Sequence, residues 1–187
     1  AAYFDWGINL AELLLLYPDP DEGATKLRLF MTVVGKLRAA PHRITQAQRI
    51  LLEILGRDYH CLGLLENFPV ASAETAATHR GTNGYSGLIG IYTLTEGAGQ
   101  RAKEILLRIY PHAKVELNSD AVATSQLIAL AKAADVFVFA WKSSKHQAYY
   151  CVKDARQGKE ILLPLGKGSA SILTSITEQI ARFQIES

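Results

Sequence analysis

Lys142, Ser143, Ser144, Lys145 and His146 form one polar, basic knot directly after the apolar run that ends at Trp141. Hydroxyls, ammonium groups and an imidazole in that density are hydrogen-bond donors, and the chemistry they suit is anion binding. A helix-type pattern follows, so its first free amides and its dipole add to the same preference. Phosphate, a nucleotide or a nucleic-acid backbone is the expected guest. Tyr149 and Tyr150 come next; one of the two must face the core beside Ala148, Val152 and Ala155, and Tyr150 is taken as the one free to stack on a base.

A second donor group is the segment Gly166-Lys167-Gly168-Ser169-Ala170-Ser171, where Ser169 and Ser171 stand at another helix start. A third is Thr95, Gly97 and Gly99: Gly97-Ala98-Gly99-Gln100-Arg101-Ala102 fits G-x-G-x-x-A after a strand, with Glu116 near the end of the next strand as a ribose-binding acid. Read that way, the chain would be a cofactor-dependent enzyme or a dinucleotide sensor. Glu96, next to the first glycine, opposes a pyrophosphate there.

Catalytic signatures are thin. The chain has no HExxH, no GxSxG elbow and no clustered Cys and His ligands. Ser144 and His146 stand two residues apart at a helix start, where their side chains need not meet, and no acid orients the histidine. The residues name neither a reaction nor a cofactor, and the balance leans away from an enzyme.

These donor groups need elements to hold them. Leu88 to Leu94 reads as a strand, Gln100 to Ile109 as a helix, Lys114 to Asn118 as a second strand, and Asp120 as the cap of a helix to Ala133. Asp135 to Ala140 is a third strand, His146 to Gln157 a helix, Glu160 to Leu165 a fourth strand, and Ser171 to Phe183 a last helix. Such βα alternation predicts an α/β fold: a four-stranded parallel Rossmann-like sheet, order 2-1-3-4, with helices on both faces. The switch point then lies between strands 1 and 3, and the loops at Thr95 to Gln100 and Lys142 to His146 face each other.

Residues 1–67 read as a helical region. Ile8 to Leu16 is an apolar segment stopped by Tyr17-Pro18-Asp19-Pro20-Asp21, Ala24 to Ala39 a second helix, and Thr45 the cap of a third that stops at Gly56. Residues 68–87, rich in Ala, Ser, Thr, Asn and Gly, read as a linker, and 88–187 as the α/β domain. Arg80 and Asn83 are taken as linker residues. A chain of 187 residues with 49% apolar composition is too apolar for disorder and large enough for a sizeable core.

Twenty basic against 18 acidic residues leave a net charge of +2, so contact with nucleic acid must come from a local patch. The two cysteines, Cys61 and Cys151, have no CxxC spacing and suit buried thiols in the cytoplasm. The longest apolar runs fall far short of the roughly 20 residues that cross a bilayer, so no membrane partner is expected. Met31 is the only methionine, and the chain is expected to belong to a larger polypeptide.

Asp135, the apolar strand after it, Ser144, His146, Ala148-Tyr149-Tyr150, Val152-Lys153, Gly158-Lys159 and Ser169-Ala170-Ser171 together resemble the bacterial Rossmann-like domain-of-unknown-function family 2325. The similarity runs roughly from Leu88 to Ile180. Two departures are Lys145, which separates Ser144 from His146, and Thr95-Glu96-Gly97-Ala98-Gly99, where the family has a glycine pair directly after the strand. The resemblance implies the Rossmann-like fold and a DNA-binding role without an assigned reaction. The expected function is a non-catalytic binding or regulatory module for a nucleotide, a phosphate-bearing ligand or a nucleic-acid backbone, in a homo-oligomer or larger assembly. A protein-interaction scaffold that uses residues 1–67 is the further alternative.

Overall fold

A computed structural model describes residues 2–17, 23–66, 84–143 and 146–186. The chain divides into two compact units, 1–80 and 81–187. Most of the expected linker, including Arg80 and Asn83, and also Ser144 and Lys145, lies outside the described residues.

The first unit holds α1 (Ala2–Leu14), α2 (Ala24–Arg38) and α3 (Gln46–Asp58). Ile8 and Ala11 of α1, Phe30, Val34 and Leu37 of α2, and Leu51 and Leu55 of α3 are buried. Tyr59 stacks on Phe30 at 4.7 Å and donates its hydroxyl to the Ala11 carbonyl at 2.7 Å. Thr45 caps α3 in a reciprocal pair: its Oγ1 accepts the Gln48 amide at 3.2 Å, and Gln48 Oε1 accepts the Thr45 amide at 2.9 Å. Gly56 does not stop α3. A Cβ there would lie 2.6 Å from Leu65 Cδ1, so the glycine lets the following turn, Leu62–Leu65, pack onto the helix. The stop is His60, at φ 53°, with the Cys61 amide on the Gly56 carbonyl at 2.8 Å and the His60 amide on that of Arg57 at 3.0 Å.

In the second unit, β1 (Leu88–Tyr92), β2 (Lys114–Asn118) and β3 (Val136–Phe139) form a parallel sheet of order 2-1-3. Between and after them come α4 (Glu96–Ile109), α5 (Ser125–Ala133), α6 (His146–Arg156) and α7 (Ser169–Glu186). Strand side chains alternate between faces. Tyr92, Phe137 and Phe139 point one way, into a cluster with Leu127, Leu130 and Ala131 of α5 and Ala148 and Val152 of α6. On the other face, α4 packs on β2 and on α7, and α7 packs on β3. Gly90 keeps β1 close to this cluster, since a Cβ would lie 2.7 Å from the Phe137 ring.

The sheet therefore has three strands, and the four-stranded order 2-1-3-4 is corrected. The apolar run Glu160 to Leu165 makes one parallel bridge, Leu162 to Val138, with the Leu162 amide on the Phe137 carbonyl and the Phe139 amide on the Leu162 carbonyl, both at 2.9 Å. The next amide in that register would come from Pro164, which has none. On the other side, the Glu160 carbonyl is taken by Arg156 Nη2 at 2.7 Å. Pairing is thus cut off at both ends. Three helix starts also shift: α4 begins at Glu96 rather than Gln100, α7 at Ser169 rather than Ser171, and Thr124, not Asp120, caps α5, its Oγ1 accepting the Leu127 amide at 3.2 Å.

Candidate functional site

The carboxyl ends of the three strands finish together. The Thr93 amide donates to the Asn118 carbonyl at 3.2 Å, and the Ala140 amide to the Tyr92 carbonyl at 2.9 Å, so each ladder runs one step beyond its last strand residue. Beyond β1 the chain turns at once into α4. Thr93 Oγ1, fully buried, accepts the Thr95 amide at 3.1 Å, and the Thr95 carbonyl accepts the Gly99 amide at 3.1 Å. Thr95 occupies the cap position, but its side chain caps nothing.

Gly97 and Gly99 lie inside the first turn of α4, not in a loop before it. Gly99 is buried, and a Cβ there would sit 2.6 Å from Leu117 Cδ1 and 2.9 Å from Thr93 Cγ2. Its absent side chain is what lets α4 lie on the sheet. Gly97 is exposed, and the Arg101 guanidinium folds back towards it, 3.2 Å from where a Cβ would stand. Glu116, the expected ribose acid, lies two residues before the end of β2 and pairs with Lys114 Nζ at 2.6 Å.

The organised polar group stands after β2. Asn118 is 8% exposed and spends both ends of its amide on one residue: Oδ1 accepts the Asp120 amide at 3.2 Å, and Nδ2 donates to Asp120 Oδ2 at 2.8 Å. Thr124 Oγ1 donates to the same Oδ2 at 2.5 Å, and the Tyr92 hydroxyl donates to the Asp120 carbonyl at 2.9 Å. The bond from Thr124, and then that from Asn118, hold the Asp120 carboxyl below its usual range, so it is ionised at neutral pH. The Tyr92 phenol is pushed up by burial and by the Asp120 charge.

After β3, Trp141–Ser143 form a short turn, with Lys142 Nζ 5.7 Å from the centre of the exposed Trp141 ring. His146 is the first residue of α6. An aromatic series leads outward: Tyr92 stacks on Phe139 at 4.8 Å, Phe139 meets the edge of Tyr149 at 5.4 Å, and Tyr149 meets Tyr150 at 6.0 Å. Tyr150 is 64% exposed, Tyr149 only partly so. Ser169, the first residue of α7, is fully buried. Ser171 is half-buried, its hydroxyl lying where a side chain at Gly166 would collide with it.

The strand ends thus bring Thr95, Gly97, Gly99 and Ser143 to one edge of the sheet, with Asp120 beside them. Asn118, Asp120 and Thr124 are the residues the sequence reading missed as a group. The signal was present in the polar run Asn118-Ser119-Asp120 at a strand end, but Asp120 was read as a helix cap. Among the described residues no group of three or more His, Cys, Asp and Glu stands close enough to hold a metal ion, and no helix is long and apolar enough to cross a membrane.

No curated protein and no solved structure matches the chain. A family model does, and it corrects the resemblance to the domain-of-unknown-function family 2325, which rested on residues between Asp135 and Ser171. The model matches residues 1–175, helical unit and α/β unit alike, and the chain belongs to the DpdD-like family.

Proposed function

We propose that the α/β unit is a non-catalytic binding or regulatory module that receives a phosphate-bearing ligand, a nucleotide or a nucleic-acid backbone, at the carboxyl end of its sheet. One observation carries this reading: β1 lies between β2 and β3, so the chain leaves β1 and β3 towards opposite faces beside the same pair of strand ends. Open parallel sheets leave a crevice at that point, and the helix starts beside it offer free amides and the positive end of a dipole. Exposed Lys142 and Lys167 add charge, and Arg101 reaches back over the first turn of α4. Exposed Glu96 opposes an anion there, an effect weakened by water and salt. The free thiols of Cys61 and Cys151 fit a reducing, cytoplasmic setting.

The test is titration of the full chain with labelled nucleotides and oligonucleotides at rising salt. Saturable binding that weakens with salt, and that falls about ten-fold or more when Lys142 and Lys167 are both changed to Glu, is the expected result. Binding that ignores salt and both substitutions contradicts it.

A second reading is favoured by α1, where Trp6 and Leu13, seven residues apart, are both exposed. On that reading the helical unit docks a partner protein. Substitution of both by Glu then abolishes co-purification of that partner and leaves nucleotide binding intact.

A further inference from the structure

Asp120 is held more firmly than a turn requires. Its amide, its carbonyl and Oδ2 are all engaged, by Asn118, Tyr92 and Thr124. Oδ1 alone accepts no hydrogen bond from the described residues, and the side chain is only partly buried. A buried asparagine that commits both ends of its amide to one carboxylate fixes that group's direction in advance, which lowers the ordering cost of binding. Two donors converge on one oxygen and leave the other open, so the arrangement suits an incoming donor.

Location narrows the kind of donor. Asp120 lies two residues beyond β2, and β2 is the direct neighbour of β1, whose end opens into the first turn of α4. In parallel sheets that seat a phosphate at the helix start after the first strand, the sugar of the same ligand lies over the end of the adjacent strand. An ionised carboxylate there repels bare phosphate and accepts hydroxyls. We infer that Asp120 is a sugar-recognition residue, its free Oδ1 accepting a 2′- or 3′-hydroxyl, so that the ligand of this edge is a nucleotide with a free sugar hydroxyl rather than inorganic phosphate or an internal stretch of DNA backbone. This rests on the phosphate-binding reading above and adds to it a contact to the sugar.

The experiment measures binding of the four ribonucleoside triphosphates, their 2′,3′-dideoxy counterparts and inorganic tripolyphosphate to the full chain. EDTA is present so that the carboxylate cannot act through a divalent cation. At least one ribonucleotide should bind about ten-fold or more tightly than its dideoxy counterpart, as expected when a site built to accept a hydroxyl loses it. Asp120→Asn should remove that preference, while dideoxy and tripolyphosphate binding hold or tighten because a negative charge beside the phosphate seat is gone. Equal affinity for the ribo and dideoxy ligands in the unaltered protein overturns the inference while the phosphate-binding reading stands. Absence of binding by every probe overturns both. The ligand series is run on the unaltered chain, so the result does not depend on how well the variant folds.

Discussion

At the amino end of the sheet, Arg156 is 2% exposed and spends its charge on the backbone, donating to the carbonyls of Ala131, Ala134 and Glu160 at 3.0, 2.5 and 2.7 Å. Its guanidinium also lies 5.6 Å from the centre of the Phe137 ring. At the carboxyl end, Asp120 is just as firmly placed, but one of its oxygens is kept out of the network. A buried charge aimed by Nη1 and Nη2 into three backbone carbonyls ties α5, β3 and the Leu162 bridge together, and although its Nε has no partner among the described residues the group has no exposed side to offer a ligand. A charge oriented by its neighbours and left partly open has an acceptor to spare, which the proposed sugar contact uses. Also at the amino end, Asp135 accepts the Leu88 amide at 2.8 Å, and burial pushes the Tyr85 and Tyr110 phenols, whose hydroxyls have no hydrogen-bond partner among the described residues, up to about 12.

The largest effect expected of this contrast is at Arg156. Arg156→Ala leaves three carbonyls without their donor and should lower the stability of the chain by about 3–5 kcal/mol in urea denaturation. Arg156→Lys should recover only part, because one ammonium cannot span three carbonyls. A loss below about 1 kcal/mol would break the assignment of the amino end as scaffold.

Next come the two glycines of the first turn of α4. Gly99→Val should cost about 2–3 kcal/mol, because its side chain would press on Leu117 and Thr93. Gly97→Ala should change stability by no more than about 0.5 kcal/mol, since only the Arg101 side chain stands near. If the two substitutions behaved alike, Gly99 would not be the packing residue described here.

The smallest effect is an acid-range one at Asp120. Its carboxyl is held below the ordinary 3.8 in the folded chain, by Thr124 first and then Asn118. The resulting stabilisation is complete above 3.8 and disappears as pH falls from there through the lower folded value. Asp120→Asn should therefore flatten the acid side of the stability profile relative to the unaltered chain, measured by denaturation at successive pH values.

Much of the architecture could be read from residue patterns, because hydrophobic period and caps act locally. The order β1, α4, β2, α5, β3, α6 followed from apolar periodicity, and the Thr45 cap from its place before an apolar helical run; its reciprocal bond with Gln48 came from the structure. What failed was partly local and partly set by partners distant in sequence. Pro164 stands inside the run Glu160 to Leu165 and removes its next ladder amide, a signal that the apolar composition of the run outweighed. Gly97 and Gly99 fit a phosphate-loop pattern, yet the need for glycine at 99 comes from Leu117, 18 residues away. Asp120 looked like a helix cap because an aspartate after a strand often is one. Its bonds to Asn118, Thr124 and Tyr92, with Thr124 taking the Leu127 amide, show that it is not.

The central claim is that the carboxyl end of the sheet, not the amino end, is the binding face. Amide chemical-shift mapping of the full chain against a ribonucleoside triphosphate tests it directly. Saturable shifts are expected at Gly97, Asp120, Lys142 and Ser169, with the amides of Gly87, Asp135 and Arg156 unmoved. Shifts confined to Gly87, Asp135 and Arg156 would contradict it.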